Sequence, residues 1–287
     1  MTPLFKILQP AILTQLQDLG RFGQLHRGIS VSGAMDETSF RLNNQLLDNS
    51  ENAAQLEIAP GGLALEVLAD CMIAIAGAYA MPTVDGKPLV NYHSYRVQAG
   101  QQLKMGYPKQ GQYSYLAVQG GFQATPILGS LSTCARLELY PQRLGRGSLL
   151  FGETFTEFPS EQGVRWQAQP NRTEAKIEVI PAYQYDDFTE AAKQAFIEQK
   201  WRVQSSDRMG TLLSASNPVQ WQGGELLSEG IIAGAVQISN NGMPIVLQKD
   251  AQSIGGYPKI GVLTGEARSR LAQMKAGSTI QFVFIDA

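Results

Sequence analysis

The sequence predicts a mainly β chain of barrel or sandwich type, made of two related units with three short helices. Three observations lead there. The first is punctuation: 29 glycines and 14 prolines are spread over 287 residues, so the chain turns often. The segments between turns are short and rich in Val, Ile, Leu, Thr and Tyr, the side chains that suit a pleated, half-buried surface. The second is that helical periodicity is confined to three stretches. The third is an internal echo, in which three motifs recur in the same order in the two halves.

The strands are "CMIAIAGA" (71–78), "YSYLAVQGG" (113–121), "GAVQIS" (234–239), "MPIVLQ" (243–248), "KIGVLT" (259–264) and "TIQFVFI" (279–285). Asn-Gly within "SNNGMP" (239–244) predicts a hairpin, because both residues tolerate the positive φ of a tight turn. The first helix is "ETSFRLNNQLLDN" behind Asp36 as cap. The second is "AAKQAFIEQ", behind a capping-box pair of Asp187 and Glu190. The third is "GEARSRLAQMKAG", behind Thr264 and ending near Gly277.

The echo pairs "QDLGRFG" (17–23) with "SDRMG" (206–210). It pairs "GISVSGAMD" (28–36) with "GIIAGAVQI" (230–238), and "VQAGQQLKM" (97–105) with "MKAGSTIQF" (274–282). A duplicated fold follows, with units over 1–170 and 171–287. A polar, proline-bearing linker is expected at 158–175.

Composition narrows the function classes. Hydrophobic residues make up 44% and charged residues 17%, with a net charge of -2. That is a globular chain with no basic footprint for nucleic acid. No apolar run approaches the length of a membrane span, and a cytoplasmic protein is expected. Cys71 and Cys134 lack metal or disulfide spacing and read as buried free thiols. With two histidines, His26 and His93, no metal site is expected.

Several motifs carry chemistry-bearing residues. In "DLGRFG", Arg21 reads either as a donor to a carboxylate or phosphate or as part of a turn held by Asp18. In "VSGAMD", Ser32 invites comparison with a nucleophile, but G-x-S-x-G is absent and no triad is identifiable. "GSLSTCAR" (129–136) and "LGRGSLLFG" (144–152) have the glycines and hydroxyls of an anion cradle but not the P-loop pattern. "QMKAG" and "LKMGY" lack methionine on both sides of the lysine, so covalent biotin is not expected. The densest group is "KDAQSIGGYP" (249–258), between two strands. There Gly255 and Gly256 permit close backbone approach or positive φ, and Asp250, Gln252, Ser253 and Tyr257 project from a strand end.

"QDLGRFG", "GISVSGAMD", "NNQLLDN", "AAQLEIAPGG", "VQGGF", "LGSLST", "SDRMG", "LLSEGIIAGAVQI", "GMPIVLQKDAQSIGGYP" and "AQMKAGSTIQF" occur in that order. Together they resemble the biotin-dependent carboxyltransferase-like proteins, also called the second-subunit family of allophanate hydrolase. Within it the resemblance is nearest to the stand-alone bacterial branch, the C subunits of 5-oxoprolinase or Kip antagonist-like proteins. The resemblance implies two cyclophilin-like β-barrels and two partners, a B subunit (Kip inhibitor-like) and an A subunit. It further implies ATP, shared with a partner, and opening of the small-molecule substrate 5-oxoproline to glutamate. On that footing Arg21, Arg208 and Lys249 supply charge, while Asp250, Gln252 and Tyr257 orient substrate. Ser253, Gly255 and Gly256 complete the binding loop at the interface with the B subunit. Two other readings of the same family stand beside it: a non-catalytic module that sequesters a kinase-inhibitor protein, and a carboxyltransferase half of a urea or allophanate-type biotin system. The chain departs from the family at "LELYPQR" (137–143), where a Gly-Gly pair is usual, and at Ser253, where Thr is usual.

Overall fold

A computed structural model describes residues 1–164 and 173–286. The chain divides into two compact units, Met1–Arg21 with Ser32–Pro170, and Phe22–Val31 with Asn171–Ala287. The decapeptide 22–31 thus leaves the first unit to pack within the second, which a linear reading of the chain does not anticipate.

The first unit holds two antiparallel sheets. One runs, by neighbour, Leu149–Gly152, Thr2–Gln9, Leu63–Val67, Gln102–Met105, Thr83–Val84 and Lys87–Pro88. The other runs Leu13–Gln17, Gln55–Ala59, Ser114–Val118, Cys71–Gly77 and His93–Val97. Helix α1, Glu37–Gln45, packs on the second sheet against Cys71–Gly77 and Ser114–Val118. The run "CMIAIAG" is apolar throughout because both of its faces are covered. Ile73 and Ile75 point into the main core with Leu4, Phe5, Leu56 and Leu116. Met72, Ala74 and Ala76 pack with Leu46 and Leu47. The period of two assigns alternate side chains to the two cores. Each large side chain buried this way contributes about 1.5–3 kcal/mol.

The second unit is a closed seven-stranded barrel. Its strands follow the order Glu174–Pro181, Lys259–Leu263, Ala235–Ile238, Pro244–Leu247, Gly210–Ser214, Trp201–Ser206 and Thr279–Phe284. Parallel pairing of Glu174–Pro181 with Thr279–Phe284 closes it. Phe196 and Phe282 stack inside at 4.3 Å, and the Trp201 indole donates to the Phe196 carbonyl at 2.9 Å. The Asn-Gly hairpin is present: Gly242 has φ +76°, and a Cβ there would meet Pro218 at 2.5 Å. Only glycine satisfies both conditions.

Among the described residues three α-helices form, and Asp36 and Thr264 cap α1 and α3 (Gly265–Ala272), accepting from Ser39 N and Ala267 N. The second cap differs from the sequence reading. Thr189, not Asp187, accepts from Ala192 N at the start of α2, Glu190–Glu198, while Asp187 lies in a preceding 3-10 turn. Two acidic residues make a capping box legible, but the geometry favours the hydroxyl immediately before the first helical turn. Helix α3 ends at Ala272, short of Gly277, whose φ of +91° serves the following turn. Residues 165–172 of the expected linker lie outside the described residues. Those before them are not a free tether: Gln162 exchanges hydrogen bonds with Ser94, and Val164 N donates to the Tyr92 carbonyl.

Both cysteines are free and buried, and burial, with the nearby Asp70 charge, pushes the Cys71 thiol up to about 12. Among the described residues, no cluster of three or more His, Cys, Asp or Glu is placed to hold a metal. None of their helices is long and apolar enough to cross a membrane.

The GSLST loop is an anion cradle, but its anion belongs to the chain. Asp18 accepts from Ser130 Oγ at 2.7 Å, Leu131 N at 2.7 Å, Ser132 Oγ at 2.5 Å and Gly20 N at 2.8 Å. Asp18→Ala strands these donors in a buried place, and the expected loss is on the order of 3 kcal/mol in urea denaturation. Thr189→Ala is expected to cost about 1 kcal/mol in the same assay, and Asp187→Ala close to nothing.

Candidate functional site

The turn at 206–210 and the loop at 248–258 meet at one end of the second unit. Asp207 builds the turn by accepting from Met209 N at 2.7 Å and Gly210 N at 3.0 Å. The turn offers its carbonyls to the loop: Gln248 N donates to Met209 O at 3.0 Å and Asp250 N to Arg208 O at 2.6 Å. Side chains lock the junction. Arg208 Nε lies 2.8 Å from Asp250 Oδ2 and its Nη2 3.0 Å from Oδ1, a bidentate pair. Both side chains are at least nine-tenths buried. A planar fork matched to a carboxylate is the geometry that arginine, unlike lysine, supplies.

The decapeptide 22–31 reaches this loop. Ser30 Oγ donates to the Ala251 carbonyl at 2.6 Å, with Asp250 O at 3.3 Å. Farther along, Ile254–Gly255 pairs with Glu229–Gly230, and Ile231 N donates to Ser253 O. The glycine pair serves close approach, not positive φ. A Cβ at Gly255 would sit 2.9 Å from the Gln237 amide nitrogen, and one at Gly256 3.1 Å from the Leu226 carbonyl. Lys259 then fixes the loop's exit. Its ammonium pairs with Glu229, which also accepts from Gln184 Nε2 at 3.0 Å, and Lys259 N donates to Gln184 Oε1 at 2.8 Å.

The structure therefore sorts the residues singled out by sequence. Arg208 and Asp250 come together, and each occupies the other. Lys249 and Ser253 are buried. Gln252 is exposed and Tyr257 is 38% exposed, beside Ile254 at 62%. Gly255 and Gly256 belong to the small ribbon. Arg21 lies in the first unit, buried, with Nε on the Ile127 carbonyl at 3.0 Å and Nη2 on the Ser132 carbonyl at 2.6 Å. Sequence reasoning missed Ser30, Lys259, Glu229 and Gln184. Lys259 stands directly after the loop motif, but its partners are 30 and more residues away and leave no local signal. Two surface recesses, one around Asp85, Gly100 and Lys104 and one around Asn49, Gln119 and Phe155, belong to the first unit and include none of these residues.

Residues 27–284 match the family described as carboxyltransferase domain, subdomain A and B. The chain belongs to this family. Among carboxyltransferase-domain proteins it is 37% identical to the C subunit of 5-oxoprolinase from Haemophilus influenzae, over 97% of this chain and 90% of that one. It is 36% identical to the C subunit of 5-oxoprolinase from Escherichia coli K12, over 98% and 91%. The crystal structure of K. lactis urea amidolyase superposes with a TM-score of 0.89 at 26% identity, covering 100% of this chain but 19% of that one.

Asp250→Ala leaves a buried guanidinium without its carboxylate and is expected to cost about 3–5 kcal/mol in urea denaturation. Replacing both partners, Arg208→Met with Asp250→Leu, is expected to restore most of that loss. Equal losses in the single and double variants would show that the pair is not what holds the loop.

Proposed function

We propose that the chain is one subunit of an ATP-dependent 5-oxoprolinase, cytoplasmic and inactive without its partners, the A and B subunits. One observation carries this reading: similarity to two proteins named as the C subunit of 5-oxoprolinase runs over nine-tenths of both chains. The similarity to urea amidolyase is equally continuous along this chain but spans only 19% of that protein. It therefore supports the shared domain rather than the urea chemistry. A carboxyltransferase role in a biotin-dependent system is the second reading, and the shared fold favours it over a role limited to sequestering a kinase inhibitor.

A lactam is a poor electrophile because nitrogen donates into its carbonyl. ATP, when bound, supplies the phosphoryl group that makes the lactam oxygen a leaving group. The chain's own residues fit such a nucleotide poorly. The 129–136 cradle holds Asp18. Arg21 bonds to backbone carbonyls and Arg208 forks onto Asp250. The nucleotide is accordingly assigned to the partner subunits, and this chain contributes surface and orientation. Gln252 and Tyr257 present a carboxamide and a phenol from a loop held on both sides, by Arg208–Asp250 and by Lys259–Glu229. Neutral donors and acceptors of this kind read an amide without competing for a phosphoryl group.

Glutamate release and ATP hydrolysis are to be measured with this chain and its A and B subunits, omitting each in turn. Glutamate is expected only from the full mixture. Appreciable turnover by this chain alone, or none from the full mixture, overturns the reading. Gln252→Ala and Tyr257→Phe are each expected to raise KM for 5-oxoproline by about tenfold or less, the worth of one neutral hydrogen bond.

A further inference from the structure

Asn49 ties two turns of the first unit together. Its Oδ1 accepts from Gly120 N at 2.7 Å, and its Nδ2 donates to the Val118 carbonyl at 2.8 Å and to Asn44 Oδ1 at 3.2 Å. The turn that follows α1, residues 47–50, is thereby held beside the turn at 119–120. Between them lies an open recess of about 320 Å³, walled also by Phe155 and Pro159. A Cβ at Gly120 would sit 3.3 Å from the Phe155 ring and 3.5 Å from Glu153 Oε2, so a ring and a second carboxylate stand against this wall. The volume is that of a site for a small molecule.

The charged residues of this wall, Asp48 and Glu153, are both acids. Asp48 is exposed and left-handed, at φ +51°, and its carboxylate has no hydrogen bond or ion pair among the described residues. No Lys, Arg or His lines the space. Helix α1 ends there with no basic residue in its last turn, so its negative end is uncompensated. Gln119 lines the recess too, and its carboxamide oxygen is shut from solvent with no partner among the described residues. Turning the amide toward the recess is a change of side-chain torsion alone. The recess at Asp85 differs, because Lys104 lines it as well and the two charges oppose each other. We propose that the Asp48 recess binds a small alkylammonium ion. The ammonium donates to the Asp48 carboxylate and the Gln119 oxygen, and its stem lies on Leu47, Phe155 and Pro159. An aromatic wall favours a cation as well as its apolar stem, whereas a bare metal ion would leave the apolar walls without a role. Asp48, Ser50 and Pro159 are exposed, so entry requires no movement of the backbone.

The proposal does not rest on the 5-oxoprolinase reading. Binding of n-butylammonium to the full chain is to be measured by NMR titration, with n-butanol as an uncharged probe of the same length. The ammonium is expected to shift the amides of residues 47–50 and 119–120, and n-butanol to bind at least tenfold more weakly. Asp48→Asn removes the charge and keeps a side chain that tolerates the left-handed backbone. It is expected to melt with the parent and to weaken the ammonium at least tenfold. Phe155→Leu is expected to weaken it about threefold. No binding of the ammonium, equal binding of n-butanol, or unchanged affinity in Asp48→Asn overturns the site. Displacement by potassium but not by sodium at equal ionic strength would make it a metal-ion site and overturn the proposal as well. A titration with the A and B subunits present separates two sources of the same chemistry. Loss of the probe assigns the recess to a lysine side chain of a partner, and retention assigns it to a free amine.

Discussion

The loop of the second unit depends on one buried ion pair. Arg208 and Asp250 lie 42 residues apart, and their fork joins two turns that the sequence leaves far apart. Taking two charges out of water is costly, and only a bidentate geometry with further hydrogen bonds offsets it. The backbone supplies those bonds, since Asp250 N donates to the carbonyl of the arginine it pairs with. The pair thus contributes register more than net stability. It holds Asp250 buried at the start of the loop, while Gln252 and Ile254 beyond it are exposed.

The first unit solves the same problem with the polarity exchanged. Asp18 and Asp207 both begin a turn by accepting from the amide two residues on, which is what the echo of "QDLGRFG" in "SDRMG" preserves. In the second unit the turn then offers a guanidinium and the opposing loop a carboxylate. In the first unit the turn offers the carboxylate and the opposing loop offers hydroxyls and an amide, from Ser130 to Ser132. A duplicated backbone has kept its turn while the charge partners changed places. Ser32 and Gly234, opposite each other in the echo, are both left-handed, at φ +59° and +93°, although α1 follows the first and a barrel strand contains the residues after the second.

Local physics was legible in the sequence, and long-range pairing was not. The strands, the Asn-Gly hairpin and the caps at Asp36 and Thr264 rest on interactions within a few residues, so their signals are local. Thr189 is passed over for Asp187 because two nearby acids look more like a capping box than one hydroxyl does. The GSLST stretch was recognisable as an anion cradle, since glycine, hydroxyls and amide groups make one wherever they occur. That its anion is Asp18, 112 residues earlier, is a fact of topology. The same holds for Arg208 with Asp250 and for Ser30 with Ala251. Charged residues in a suggestive loop are equally consistent with waiting for a ligand and with holding the loop, and only the partner decides.

That distinction bears on the nucleotide proposed for the complex. A transferring phosphoryl group needs cations and amide donors that are unoccupied before it arrives. Arg21, Arg208 and Lys259 are each engaged by carbonyls or carboxylates within the fold. Freeing any of them to meet a phosphate would leave a buried partner unsatisfied, and that penalty would be subtracted from the binding energy. On the loop itself the exposed polar groups that carry no such commitment are neutral, Gln252 and Tyr257. On the reading proposed above, such a loop would position a small polar molecule and leave charge neutralisation to cations of a partner subunit.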